Sequence, residues 1–211
     1  MSDAPANAWY HRERYDDARR TWQVTCYLGD RFPDGEVAPV SGPEDLDGAV
    51  RLWHATTDEA GRPQLLVEAA AAPQAPDVWF VAIPHPRTDP PCFDLVAFAT
   101  EDLPPGTVVD NPTFTAMPVR SRDQAAAIRW FPDTGVVDQV FVSKPLRRTQ
   151  LATKLVYAAS AYHQHQGWPG RLHSDGRRTH LGERFVAGLR HPSRVAPWTE
   201  TAPPMDPDED D

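Results

Sequence analysis

The chain has 211 residues, 40% of them apolar, with 23 prolines and a formal net charge of −9. That length supports one sizeable core, the prolines call for long irregular connections, and the acidic balance argues against nucleic acid as a partner. No apolar run approaches the roughly 18 residues of a membrane helix, and the N-terminus lacks the basic-then-apolar form of a signal peptide, so a cytoplasmic protein with no membrane partner is expected.

Residues 1–20, charged with interspersed aromatics, read as an N-terminal arm or helix. "TWQVTCYL" (21–28) alternates as a strand. "PEDLDGAVRLWHA" (43–55) reads as a helix capped by Ser41, with Leu46, Ala49, Val50 and Trp53 on its apolar face. "PQLLVEAA", "VWFVAI" and "FDLVAFAT" follow as strands between proline-rich connections, then "PTFTAMPV" as a weaker one. "AAAIRWF" and "VVDQVFVS" are joined by Pro-Asp-Thr-Gly, a hairpin turn. A helix is predicted over 147–166, with Leu151, Leu155, Ala158 and Tyr162 at helical spacing and Gly167 at its end. "GRLHSD" supplies a short strand. "THLGERFVAGL" supplies a last helix capped by Thr179, with Leu181, Phe185 and Leu189 inward. The order predicts one α/β (α+β) domain over 21–195, a mixed, mostly antiparallel sheet flanked by helices. An acidic, proline-rich tail over 196–211 is expected to be disordered.

The cysteines, Cys26 and Cys92, fit no metal spacing and read as small buried hydrophobes. His163 and His165 stand two apart on a helix, so they face different ways and cannot share an ion. Their place in the last turn suits the negative helix end. No metal is expected.

One stretch concentrates charge. "VSKPLRRTQLATKL" (142–155) holds both lysines of the chain, Lys144 and Lys154, around the adjacent Arg147 and Arg148. It falls where a strand pattern gives way to a helical one. The first four N–H groups of a helix lack intrahelical acceptors, and the macrodipole adds positive character there. An anion would collect those N–H groups, with arginines beside it for charge and bidentate geometry. The plain alternative is an ordinary solvated helix start in an unrelated α/β protein.

The same stretch resembles the cofactor motif of the GNAT superfamily of acyl-CoA-dependent N-acyltransferases, Arg/Gln-x-x-Gly-x-Gly/Ala between a strand and a long helix. Arg147 takes the Arg/Gln position and Ala152 the final Gly/Ala position, with Leu151, Thr153 and Leu155 as common neighbours; Gln150 stands where the family usually has glycine. The resemblance implies a GNAT-like fold, with acetyl-CoA or another acyl-CoA as co-substrate. The backbone of Arg148, Thr149, Gln150, Leu151, Ala152 and Thr153 would hold the pyrophosphate. The pantetheine arm would pair with the strand near Phe141 and Val142. It also implies direct attack of an amine, from a small molecule or a peptide, on the thioester. Asp138, the ionisable side chain of the cofactor strand, is the candidate base. His173 and Ser174, ending the next strand, would lie near the thiol, and His173 is preferred because an imidazole titrates near neutrality. Arg177 and Arg178 read as solvated loop residues. A GNAT-like domain that has lost turnover and serves binding or regulation is the other outcome of the same resemblance, since Phe185 stands where many members carry a tyrosine acid.

Overall fold

The computed structural model describes residues 7–16, 21–187 and 194–201. Among these, runs of β-branched and aromatic residues build a first antiparallel sheet in chain order: β1 (Asn7–Asp16), β2 (Thr21–Gly29), β3 (Val50–Thr57) and β4 (Pro63–Val67). The second sheet takes β5 (Trp79–His85), β6 (Cys92–Phe98), β7 (Val108–Asp110), β8 (Gln124–Trp130), β9 (Val136–Val142) and β10 (His173–Ser174), in the order β10-β9-β8-β6-β5-β7. It is mixed, with β7 parallel to β5 and β10 parallel to β9. The helices are α1 (Asn111–Thr115), α2 (Leu151–His165) and α3 (His180–Ala187), and β11 (Arg177–Arg178) pairs in parallel with β12 (Glu200–Thr201). The chain is therefore α+β, mostly antiparallel, with few helices.

The helix α2 crosses over from β9 to β10 and packs on β2, β3 and β4 from one side and on β8 and β9 from the other. The two sheets meet at their β4 and β7 edges, where Gln64 bridges Thr107 and Leu65 N–H bonds Gly106 O. They thus curl around the helix, and one core cluster runs through Tyr10, Trp53, Phe80, Leu95, Trp130, Leu155 and Tyr162. Strand alternation places Trp79, Val81, Phe98 and Val109 on the other face of the second sheet, where α1 covers them with Phe114.

Every residue of α2 from Ala158 to His165 is buried, as a helix enclosed on all sides requires. Small alanines let the strands approach, and the three polar side chains that end the helix each find a main-chain or side-chain partner, while the Ser160 hydroxyl finds none. His163 Nε2 bonds Pro169 O at 2.9 Å, His165 Nδ1 bonds Trp22 O at 2.5 Å, and Gln164 joins Arg12 Nη2 to Gly170 O. These histidines are not the charged partners of a helix end that the sequence suggested. Burial pushes both imidazole pKa values down, and the carbonyl partners oppose that only in part.

Three elements depart from the sequence reading. Residues 43–55 are not a helix: a 3-10 turn over Pro43–Leu46 gives way at Gly48 (φ +71°) to β3, because Leu52, Trp53 and Ala55 are needed in the core between β2 and β4. "PTFTAMPV" is not a strand but begins α1, whose Asp110 side chain accepts Thr113 N–H and whose first turn takes Pro112. The N-terminal arm is strand β1 over 7–16, its Trp9 stacked on Tyr27 and edge-on to Phe32; residues 1–6 and 17–20 lie outside the described residues. Of the tail, Glu200 and Thr201 form β12, and 202–211 lie outside the described residues, as does Leu189. The hairpin β8–β9, the end of α2 before Gly167 and the Thr179 cap, whose hydroxyl accepts Gly182 N–H, follow the sequence reading; the helix itself starts at Leu151 rather than at residue 147.

Two consequences can be measured. Because the folded state holds His163 and His165 below their ordinary 6.5, the unfolded chain binds protons first. Stability is complete above about pH 6.5 and declines as pH falls from there. Urea melts between pH 7.5 and 5.5 are expected to show the loss, with a shallower slope for His163→Gln; a flat wild-type profile would contradict the assignment. Gly135 in the β8–β9 turn has φ +76°, accepts His173 N–H, and a Cβ there would lie 2.3 Å from Arg171 O. Gly135→Ala should cost about 2 kcal/mol, and an unchanged urea midpoint would show that this turn does not hold β10 in place.

Candidate functional site

Among the described residues the two sheets do not close into a ring. At the seam, β10 pairs with β9 over two residues only, His173 with Val136 and Ser174 with Val137. The chain then turns away at Gly176 (φ +92°), whose N–H bonds Ser174 Oγ. From Asp138 onward the β9 edge opposite β8 has no strand beside it among the described residues. A strand's main-chain groups point alternately to its two edges, so this edge presents N–H and C=O groups outward.

A cavity of about 500 Å³ occupies the seam, within the range of small-molecule sites. Val137, Asp138, Gln139 and Val140 all line it. Four successive strand residues cannot share one face, so the cavity follows the strand's edge. Thr153, Val156, Tyr157 and Ser160 line the opposite wall. Their spacing puts them on one helix face, a stripe running about 10 Å along α2. Phe185 and Val186 of α3 cover the cavity from outside, and His173 and Ser174 stand where the strands part.

Of the residues the sequence singled out, Asp138, Thr153, His173 and Ser174 meet in this cavity; Phe141, Val142 and residues 147–152 do not line it. His173 Nδ1 bonds Arg171 O at 3.1 Å. A carbonyl only accepts, so Nδ1 carries the proton and Nε2 keeps a lone pair, the tautomer a general base needs. Ser174 Oγ accepts from Gly176 N–H (3.1 Å) and Arg178 Nη1 (3.3 Å), which leaves its own proton available to donate. Arg178 is no solvated loop residue: it is half-buried and also bonds Glu183 and Ala196 O. Arg177 pairs with Asp175 at 2.7 Å on the surface.

The helix mouth is built differently from a bare cationic cluster. Arg147 Nε donates to Val142 O at 3.2 Å, which engages that end of the β9 edge. Lys154 Nζ donates to Pro76 O at 2.7 Å and pairs with Asp77, committing it to the β4–β5 connection. Thr149 Oγ1 donates to Leu146 O, and Leu151 is buried in the core, so Leu151 has only main-chain groups to offer. Arg148 is exposed, with φ +67°. Gln150 is left-handed as well (φ +62°, ψ +14°), the conformation that favours glycine. Its side chain turns to the β4–β5 connection, where Oε1 accepts Gln74 N–H at 3.0 Å. The first helical N–H to bond back is Lys154, to Gln150 O.

No sequence signal marks the cavity's other end, where Asp34, Ser160 and Arg194 line the wall from three separate segments and Tyr10 adjoins Ser160 and Arg194. Among the described residues no group of three or more His, Cys, Asp or Glu side chains is placed to hold a metal ion, and no helix is long and apolar enough to cross a membrane. No family model, no curated protein and no solved structure matches the chain.

The left-handed Gln150 yields a direct check. Gln150→Ala and Gln150→Gly both remove the bond to Gln74, but only glycine fits the backbone without strain. Gln150→Gly should therefore be the more stable of the two by about 1 kcal/mol; equal thermal midpoints would mean that the residue is not held left-handed in solution.

Proposed function

We propose that the chain is an acyl-CoA-dependent N-acyltransferase of GNAT-like architecture, acting by direct attack of an amine on the thioester. One observation carries the reading: β9 and β10 part after Val137 and Ser174, and the edge of β9 continues along a cavity walled by the crossover helix. A pantetheine arm has the shape and the amide groups to lie against such an edge, Asp138 to Phe141 being the stretch left open. The phosphates would lie at the start of α2, on the main chain of Arg148 to Thr153, with the exposed Arg148 guanidinium beside them. The left-handed Gln150, its side chain drawn off to Gln74, supplies there the backbone shape a glycine would otherwise give.

The thioester carbon then lies near the parting of the strands. The attacking nitrogen must lose a proton and the leaving thiolate must gain one. In this reading His173 Nε2 takes the first and returns it to the leaving sulfur, toward which the Ser174 hydroxyl donates a hydrogen bond. Asp138 on the cavity wall attracts the acceptor while it is still a cation. The amide bond forms as the carbon–sulfur bond breaks, with no covalent enzyme intermediate, and holding both reactants in one cleft supplies much of the rate. The acceptor is an amine on a small molecule or peptide.

Calorimetric titration with acetyl-CoA tests this. The wild type is expected to bind and to melt at a higher temperature with ligand, and Arg148→Glu to bind about tenfold more weakly. His173→Gln should leave acetyl-CoA affinity within about threefold while lowering thiol release with an accepted amine by about 100-fold or more. A folded wild type that gives neither heat nor a melting shift at millimolar acetyl-CoA rules the reading out.

A further inference from the structure

The end of the cavity against the first sheet has a chemistry of its own. Ser160 lines the cavity, is 5% exposed, and its Oγ has no hydrogen-bond partner. The Tyr10 hydroxyl, on a side chain 2% exposed, is likewise unpartnered. The two hydroxyls lie next to each other and to the Arg194 guanidinium, which also sits over the Tyr10 ring with its carbon 5.7 Å from the centroid. Buried hydroxyls are nearly always paired. Here two lie side by side next to a cation, Ser160 on the cavity wall and Tyr10 adjoining it, within reach of each other but without a hydrogen bond of normal geometry, which is the composition of a binding subsite awaiting an acceptor.

The local charge is positive. Arg194 Nη2 donates to Asp34 Oδ1 and to Ala8 O, both at 3.2 Å, and these bonds occupy one of its three nitrogens. Arg171 Nη1 pairs with the second oxygen of Asp34. Two guanidinium groups thus share one carboxylate, and a single positive charge is left over. The cavity's walls carry the apolar side chains of Leu52, Val137, Val156, Leu172 and Phe185. Among the cavity's other charged side chains, Arg177 is paired with Asp175 and Arg178 with Glu183, while Asp138 and Glu200 also line it.

We propose that this end of the cavity binds the carboxylate of an otherwise apolar ligand, held by the Arg194 guanidinium and the Tyr10 and Ser160 hydroxyls. A carboxylate accepts from all three groups at once and neutralises the surplus charge, and a bidentate fit suits a guanidinium. A primary amine would meet the same guanidinium as a like charge. On the proposed acyltransferase reading the carboxylate belongs either to the acceptor, which is then an apolar amino acid or a relative of one, or to the transferred acyl group. The subsite itself rests on the three side chains and not on that reading.

Hexanoate is the probe, with hexylamine and hexanol as controls of equal apolar length. Calorimetry on the full chain, without acetyl-CoA, is expected to show saturable hexanoate binding at least tenfold tighter than either control. Tyr10→Phe with Ser160→Ala removes two hydroxyls that make no hydrogen bond of normal geometry, so the double variant should melt close to the wild type and bind hexanoate about tenfold more weakly. Arg194→Met should abolish binding, and if it does not fold the double variant still decides. Equal binding of hexanoate and hexanol, or a double variant with wild-type affinity, would overturn the subsite. Simultaneous binding of hexanoate and acetyl-CoA assigns the carboxylate to the acceptor, and mutual exclusion assigns it to the acyl group. Hexanoate binding with the predicted variant loss, in a protein that ignores acetyl-CoA, keeps the subsite and removes the acyltransferase.

Discussion

Everything in this molecule is arranged around the enclosure of one helix. Most surface helices bury a stripe; α2 buries its whole circumference over its second half, because the two sheets reach it from opposite sides. The consequence is a severe demand on polar satisfaction. Gln164 and His165 are tied to Arg12 and Trp22 of the distant first sheet, and His163 and Gln164 to the carbonyls of the loop that follows, so each tie fixes a segment against the helix. The carbonyls of Trp22, Pro169 and Gly170 are thereby brought to one helix end. A buried group left without its partner would cost about 1–3 kcal/mol, so the helix end and the segments around it depend on one another.

Curling sheets around a helix also explains where the cavity lies. The β4 and β7 edges meet, but the opposite edges, β1 and β9–β10, do not. Asp34, shared between Arg171 and Arg194, joins the two banks of that seam by ion pairs rather than by a strand ladder. What remains open is bounded on one side by a strand edge that pairs with no described strand beyond Val137, and on the other by the helix face of Thr153, Val156, Tyr157 and Ser160. The parting of two parallel strands and the start of the crossover helix are therefore neighbours, and the proposed chemistry depends on that adjacency.

Much of the fold was legible locally. The Pro-Asp-Thr-Gly turn fixed the β8–β9 hairpin, Gly167 marked the end of α2, and Thr179 capped α3, since each of these signals acts within a few residues. The helical periodicity at 46–53 misled because Leu46, Ala49, Val50 and Trp53 fit a helix face, whereas the core between β2 and β4 takes Leu52, Trp53 and Ala55 from a strand. Just ahead of residues 112–119 stands a cap, Asp110, which with Pro112 in the first turn outweighs their β-branched composition. At the helix mouth the cluster of cations was visible, but the partners of Arg147 and Lys154 were not, because Pro76 and Asp77 are far away in sequence.

The sequence by itself determined the order β8, β9, α2, β10 and α3 with its strand–helix–strand crossover, because hairpins, caps and helical spacing are short-range physics, while the candidates Asp138, His173 and Ser174 came from the family resemblance. Tertiary structure alone decided that those three share a cavity, that Gln150 turns left-handed with its side chain on Gln74, and that Tyr10, Ser160 and Arg194 converge. Such convergence depends on how far two sheets curl around a buried helix, a property of packing that no local pattern encodes.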